Sequence, residues 1–130
     1  MNSRIVSIAT VLAVLLAGSS WAHHSGFAVA DPSKRFTLTG TLTKVDWRNP
    51  HIQISLEAKD DRGLVDVWTM ETATPRWFLN RNVTRNDFEK AIGQTITVEA
   101  FRARDGSLHG LLQKITFRDG RAIEGYIQSP

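Results

Sequence analysis

The 130-residue chain contains no cysteine. Disulfides, zinc–thiolate sites and cysteine nucleophiles are therefore excluded, and stability has to come from apolar packing. Charge is modest as well. Sixteen Lys and Arg stand against 13 Asp and Glu, a net +3, which is too small to demand a polyanionic partner. The basic residues of the second half (Arg76, Arg81, Arg85, Arg102, Arg104, Arg118, Arg121) are scattered, with no block of like charge. Neither HExxH nor a glycine-rich phosphate loop is present. Ser25 lies beside His24, but adjacency is not a catalytic triad. An enzyme is thus not the expected class.

The start of the chain is its most informative part. Arg4 precedes an apolar run over residues 5–18 broken only by Ser7 and Thr10, and Ser20-Trp21-Ala22 puts small residues at −3 and −1 of a cleavage site. This pattern predicts a secretory signal peptide over residues 1–22 and a periplasmic or extracellular product. No later apolar run approaches the roughly 20 residues that cross a bilayer, so no membrane span is expected after cleavage. Removing 22 residues leaves 108, one small domain. Arg4 leaves with the leader, so 15 basic and 13 acidic residues remain, a balance of +2.

Residues 23–35 read as a polar arm in which Phe27 is the one large apolar residue, expected to dock on the body. Residues 36–47 form a strand pattern: Phe36, Leu38, Gly40 and Leu42 alternate, then the phase slips to Val45 and Trp47. Such a slip predicts a bulge or coil, with Gly40 permitting the bend. After the Asn49-Pro50 turn, residues 51–59 alternate cleanly. Ile52, Ile54, Leu56 and Ala58 face the core, and His51, Gln53, Ser55 and Glu57 face away. Residues 64–72 carry Leu64, Trp68 and Met70 on one parity and Val65 and Val67 on the other, a strand expected to be covered on both faces.

Thr74-Pro75 is a helix start, and Thr84 with Asp87 is a weak capping box. Phe88 and Ile92 make one apolar stripe, and Gly93 stops it. Residues 95–104 place Ile96, Val98 and Ala100 inward, and Asp105-Gly106 is a tight turn. Residues 107–118 form a fifth strand with Leu111, Ile115 and Phe117 on one parity and Leu108 and Leu112 on the other. The tail offers an edge segment through Ile123 and Tyr126-Ile127. Three strands, a helical connection and two strands follow the order of the OB-fold, a five-stranded Greek-key barrel. A mainly β, OB-like barrel over residues 36–130 is therefore expected.

His23-His24-Ser25, Thr37-Leu38-Thr39-Gly40-Thr41 and Trp47-Arg48-Asn49-Pro50-His51 are the specific motifs, joined by Trp68, Glu71, Gly93, Asp105-Gly106 and Asp119-Gly120-Arg121. With these the chain resembles a family of small secreted bacterial proteins of unknown function. The resemblance spans the mature chain and implies compartment and fold, not a chemistry. One departure is Gly26, which separates Ser25 from the aromatic Phe27 and lengthens the arm.

Two constellations are candidate sites. Cleavage after Ala22 gives His23 a free α-amine, which with its own imidazole chelates a metal ion. A second histidine completes a nitrogen set suited to Cu(II). An α-amine of pKa ~8 yields its proton to a metal far more readily than a lysine. His24 offers a neighbouring imidazole, and His51 stands just after the Asn49-Pro50 turn. Glu71, near the end of the third strand beside the second, is a candidate carboxylate to orient the ligands, and Met70 a weaker thioether candidate. The plain alternative is that His23 and His24 form a polar tip and His51 caps its turn. His109 reads as a surface strand residue.

The second set comprises Trp77 with Arg76, Arg81, Arg102 and Arg104, near Trp47, Trp68 and Phe78. OB-folds bind oligonucleotides or sugars with such groups, and export argues against nucleic acid. The expected partner is then a divalent metal ion, with copper the candidate cofactor, or else an envelope protein, peptide or glycan. In the plain reading Trp47, Trp68 and Phe78 are core and Trp77 covers a barrel end.

Overall fold

The computed structural model describes residues 30–125. The leader, His23, His24, Phe27, Tyr126 and Ile127 lie outside them. The chain is mainly β: β1 (Ala30–Asp46), β2 (Gln53–Lys59), β3 (Val65–Glu71), α1 (Pro75–Leu79), α2 (Arg85–Glu89), β4 (Thr95–Ala103), β5 (His109–Thr116) and β6 (Ala122–Glu124). Six strands form one sheet in the order β3-β2-β1-β4-β5-β6. Neighbours are antiparallel. In addition β3 pairs in parallel with β5 through Thr69–His109, Met70–Gly110 and Glu71–Leu111. The pairings therefore run in a circuit through β1, β2, β3, β5, β4 and back to β1.

The sheet has the five strands of the sequence pattern and a sixth, the edge segment expected in the tail through Ile123. The extra one, β6, holds a single buried residue, Ile123, opposite Ile115. Three residues are too few to show an alternation. β1 also starts at Ala30, six residues before the apolar pattern begins at Phe36. Its first part is polar and exposed, so hydrogen bonding to β4 defines it rather than burial.

The phase slip in β1 is a bulge, but it falls between Leu42 and Lys44, not at Gly40. Leu42 and Val45 both turn into the core because Thr43 is the extra residue between them. Gly40 serves a different need. A Cβ there would run into the backbone carbonyl of Glu57 on the paired strand. Gly40→Ala is expected to lower stability by about 1–3 kcal/mol, read as a lower denaturant midpoint; an unchanged midpoint would contradict that close approach.

β5 has a bulge of the same kind, which turns Leu112 and Ile115 both into the core, while Leu111 is buried on the opposite face. Leu112 pairs with Ala100 and Lys114 with Glu99, leaving Gln113 as a bulged residue. Two expectations fail here. Trp68 and Met70 of β3 enter the core, but Leu64, Val65 and Val67 are each more than half exposed, so β3 is covered on one face. Phe88 of α2 is fully buried while Ile92 is nearly half exposed. α2 ends at Glu89 and the chain turns into Gly93 at φ 84°, which carries Ile92 off the helical stripe.

The core joins Leu42, Ile52, Ile54, Leu56, Ile96, Val98, Leu112 and Ile115 from the sheet to Phe78 and Phe88 from the helices. Both helix starts are built as the sequence implies. The Thr74 side chain accepts from Trp77 N at 3.2 Å, with Pro75 in the first turn. Asp87 Oδ2 accepts from Thr84 N at 2.8 Å. These anchors set Phe78 and Phe88 edge to face, with ring centroids 5.5 Å apart. Trp47, half-buried, packs on both.

Candidate functional site

Alternation in β2 decides where His51 goes. Ile52 and Ile54 are fully buried, so His51 and Gln53 lie on the opposite face. The antiparallel register sets Gln53 against Glu71. His51, one step beyond, comes within reach: its Nδ1 lies 2.7 Å from Glu71 Oε1, with the two side chains 30% and 31% exposed. Nδ1–H donates to the carboxylate. Nε2 of the neutral ring then carries the lone pair, the arrangement in which a carboxylate orients a ligating histidine.

Two hollows meet at this pair. One, about 340 Å³, is lined by Arg48, Asn49, Pro50, His51, Gln53 and Glu71, and the Asn49–Pro50 peptide within it is cis. The other, about 330 Å³, has Ala30, Ala103, Gly110 and Leu111 along its apolar part and Thr69, Asp105, Ser107 and His109 around them. Gln53 and Glu71 line both. Ala30, the first described residue, thus stands in a hollow that shares a wall with His51.

Sequence reasoning set His109 aside and overlooked the chain of polar groups that holds it. Ser107 Oγ donates to Asp105 Oδ1 at 2.6 Å. Having spent its proton there, it accepts from His109 Nδ1 at 3.2 Å. His109 is on the surface, as expected, with Nε2 likewise left as the acceptor nitrogen. The Ser107 side-chain and backbone hydrogen bonds hold the Asp105 carboxyl below its ordinary range. The local signal was present, since Asp-x-Ser is a common turn that hydrogen-bonds to itself.

Met70 is not part of this arrangement. It is fully buried on the face opposite Glu71, and its Sδ lies under Gly110, where a Cβ would approach to 2.7 Å. Among the described residues, no three His, Cys, Asp or Glu side chains converge to hold a metal ion. His51 and Glu71 would need further donors from the arm, and His23 and His24 lie outside the described residues.

The aromatic and arginine set does not form one surface. Arg81 Cζ sits 3.8 Å over the Trp77 ring, beside a hollow of about 270 Å³ shared with Phe78, Val83, Ile123 and Glu124. Ile123 pairs with Ile115, toward the far end of β5. Arg102 pairs with Gly110 at the near end, and its Cζ lies 4.9 Å over Trp68. Arg76 is exposed on α1, and Arg104 follows β4 at the Asp105 turn. Of the loop acids, Asp60 caps its own turn, accepting from Arg62 N and Leu64 N at 2.9 Å each. Among the described residues, no helix is long and apolar enough to cross a membrane.

No curated protein and no solved structure matches the chain. A sequence model of the DUF6152 family matches residues 11–114, a span that includes His23, His24, His51, Glu71 and His109. The chain belongs to DUF6152, a family of unknown function.

Proposed function

We propose that the chain is an exported module with an OB-like barrel that captures Cu(II) or a similar divalent transition metal at its processed N-terminus. The α-amine and imidazole of His23, the adjacent His24 and Nε2 of His51 are the donors, and Glu71 orients His51. The barrel reading is supported by the circuit of pairings through β1, β2, β3, β5 and β4, with the helical connection between β3 and β4. The leader pattern over residues 1–22 supports export.

One observation carries the metal reading. Glu71, the hydrogen-bond partner of His51, also lines the hollow that holds Ala30. Residues 23–29 join the body at Ala30. Seven extended residues span up to about 25 Å, so the arm has the length to bring its N-terminus to His51. Nitrogen donors and a deprotonated amine favour Cu(II) over harder ions.

Titrating the correctly processed protein with Cu(II) against a His51→Ala variant tests this. Affinity is expected to fall at least about tenfold in the variant, since loss of even an outer partner of a metal ligand costs about that much. Equal affinity would remove His51 from the site. A metal-free interaction module is the second reading. It is favoured by Leu64, Val65 and Val67, three exposed apolar residues close together at the start of β3. Absence of Cu(II) binding in both proteins would leave that reading, with an envelope protein, peptide or glycan as partner.

A further inference from the structure

We propose that the hollow beside Ala30 is the seat of the arm, with the Phe27 ring as its occupant. This rests on the metal-capture reading for its purpose, but not for its test.

The hollow is apolar where the chain enters it and polar around that. Ala30, Ala103, Gly110 and Leu111 are all buried residues. Ala30 and Ala103 are small and Gly110 has no side chain, and a concavity of about 330 Å³ remains beside them. Gly110 presents only backbone to the hollow, because its Cβ position faces the core. A Cβ there would come within 2.7 Å of Met70 Sδ and 3.2 Å of both Ala100 Cβ and a Phe36 ring carbon. The volume is at the small end for a ligand pocket, a size suited to a single large side chain.

Chain length selects the occupant. Phe27 is the one large apolar residue in residues 23–29 and stands three positions before Ala30. Three residues span at most about 11 Å, which confines Phe27 to the neighbourhood of this hollow. Gly26 before it imposes no side-chain constraint on the chain's path from the ring towards His51. Charge agrees. Residues 23–29 contain no acid and start with an α-amine once processed, while Glu71 and Asp105 put two carboxyl groups around the hollow. A seated Phe27 would fix the arm at one point and leave four residues to reach His51. That makes Phe27 a positioning residue for the metal donors.

The test uses the processed, ¹⁵N-labelled protein without metal, compared with Phe27→Ala and Phe27→Leu. Seating predicts that Phe27→Ala shifts the amide resonances of Ala103, Gly110 and Leu111 and speeds exchange of the slow amides among them by at least about tenfold. Resonances of the hairpin at Asp60–Gly63 should stay in place. Phe27→Leu should restore most of the protection. Unchanged groove resonances in Phe27→Ala would overturn the seat, as would loss of protection spread evenly over the sheet. Because no metal is present, the two ideas fail separately. His51-dependent Cu(II) binding with an insensitive groove removes only the seat, and a Phe27-dependent groove without Cu(II) binding removes only the metal site.

Discussion

One extra residue left ahead of His23 is expected to weaken Cu(II) binding by at least about a hundredfold, or about 2.8 kcal/mol, without altering the fold. The extension converts the α-amine into an amide, so the chelate between that amine and the His23 imidazole is lost. His24 and His51 keep their imidazoles, but separate imidazoles lack the preorganisation of a ring closed within one residue. The pH dependence should differ too. An amine with pKa near ~8 gives up its proton on binding, so the affinity of the processed protein rises with pH up to that value. The extended protein lacks that proton release and should show a flatter profile below about pH 8. Competition with a chelator of known affinity, together with circular dichroism to verify the fold, reads both effects. Equal affinity in the two proteins would exclude the amine as a ligand.

Phe78→Ala should have the largest effect on stability, about 3–5 kcal/mol. Its ring is fully buried and lies 4.9 Å from Trp77, 5.5 Å from Phe88 and 5.8 Å from Trp47, centroid to centroid. It ties the helical connection to the end of the sheet. Truncation leaves a cavity among rings that are themselves fixed by helix caps, so the site has little freedom to collapse. Small domains are stable by only about 5–15 kcal/mol, and a large share would go. Urea unfolding followed by tryptophan fluorescence measures it. A loss below about 1 kcal/mol, the scale of a single methylene, would mean that the aromatic cluster is not where the connection is held.

Sequence pattern located features governed by neighbouring residues. The alternation Ile52, Ile54, Leu56, Ala58 is the buried face of β2. Thr74-Pro75 and Thr84 begin helices where they were expected to. Bulges were legible as phase slips but not in position. One extra residue between Leu42 and Val45 flips the parity just as a bend at Gly40 would, and only the pairing with β2 tells them apart. Gly40 is there for a neighbouring carbonyl, which lies 17 positions along the chain at Glu57. The β3–β5 pairing joins residues about 40 positions apart and leaves no local mark, whereas β6 is the edge segment expected through Ile123, paired with β5 across the Asp119-Gly120 turn. At the site, the His51–Glu71 pair follows from the hairpin register, once Gln53 is set against Glu71. Met70 does not join Glu71 because residues adjacent in a strand face opposite ways, so the neighbour of an outward Glu71 is inward.

The proposed function requires a metal ion that bridges the processed N-terminus and the histidine that Glu71 holds. Pulsed electron paramagnetic resonance on the Cu(II)-loaded, correctly processed protein counts the coordinated imidazoles through their remote nitrogens. The His51 imidazole should contribute to that signal and be missing from it in His51→Ala. The same imidazole count in both proteins would contradict the bridge.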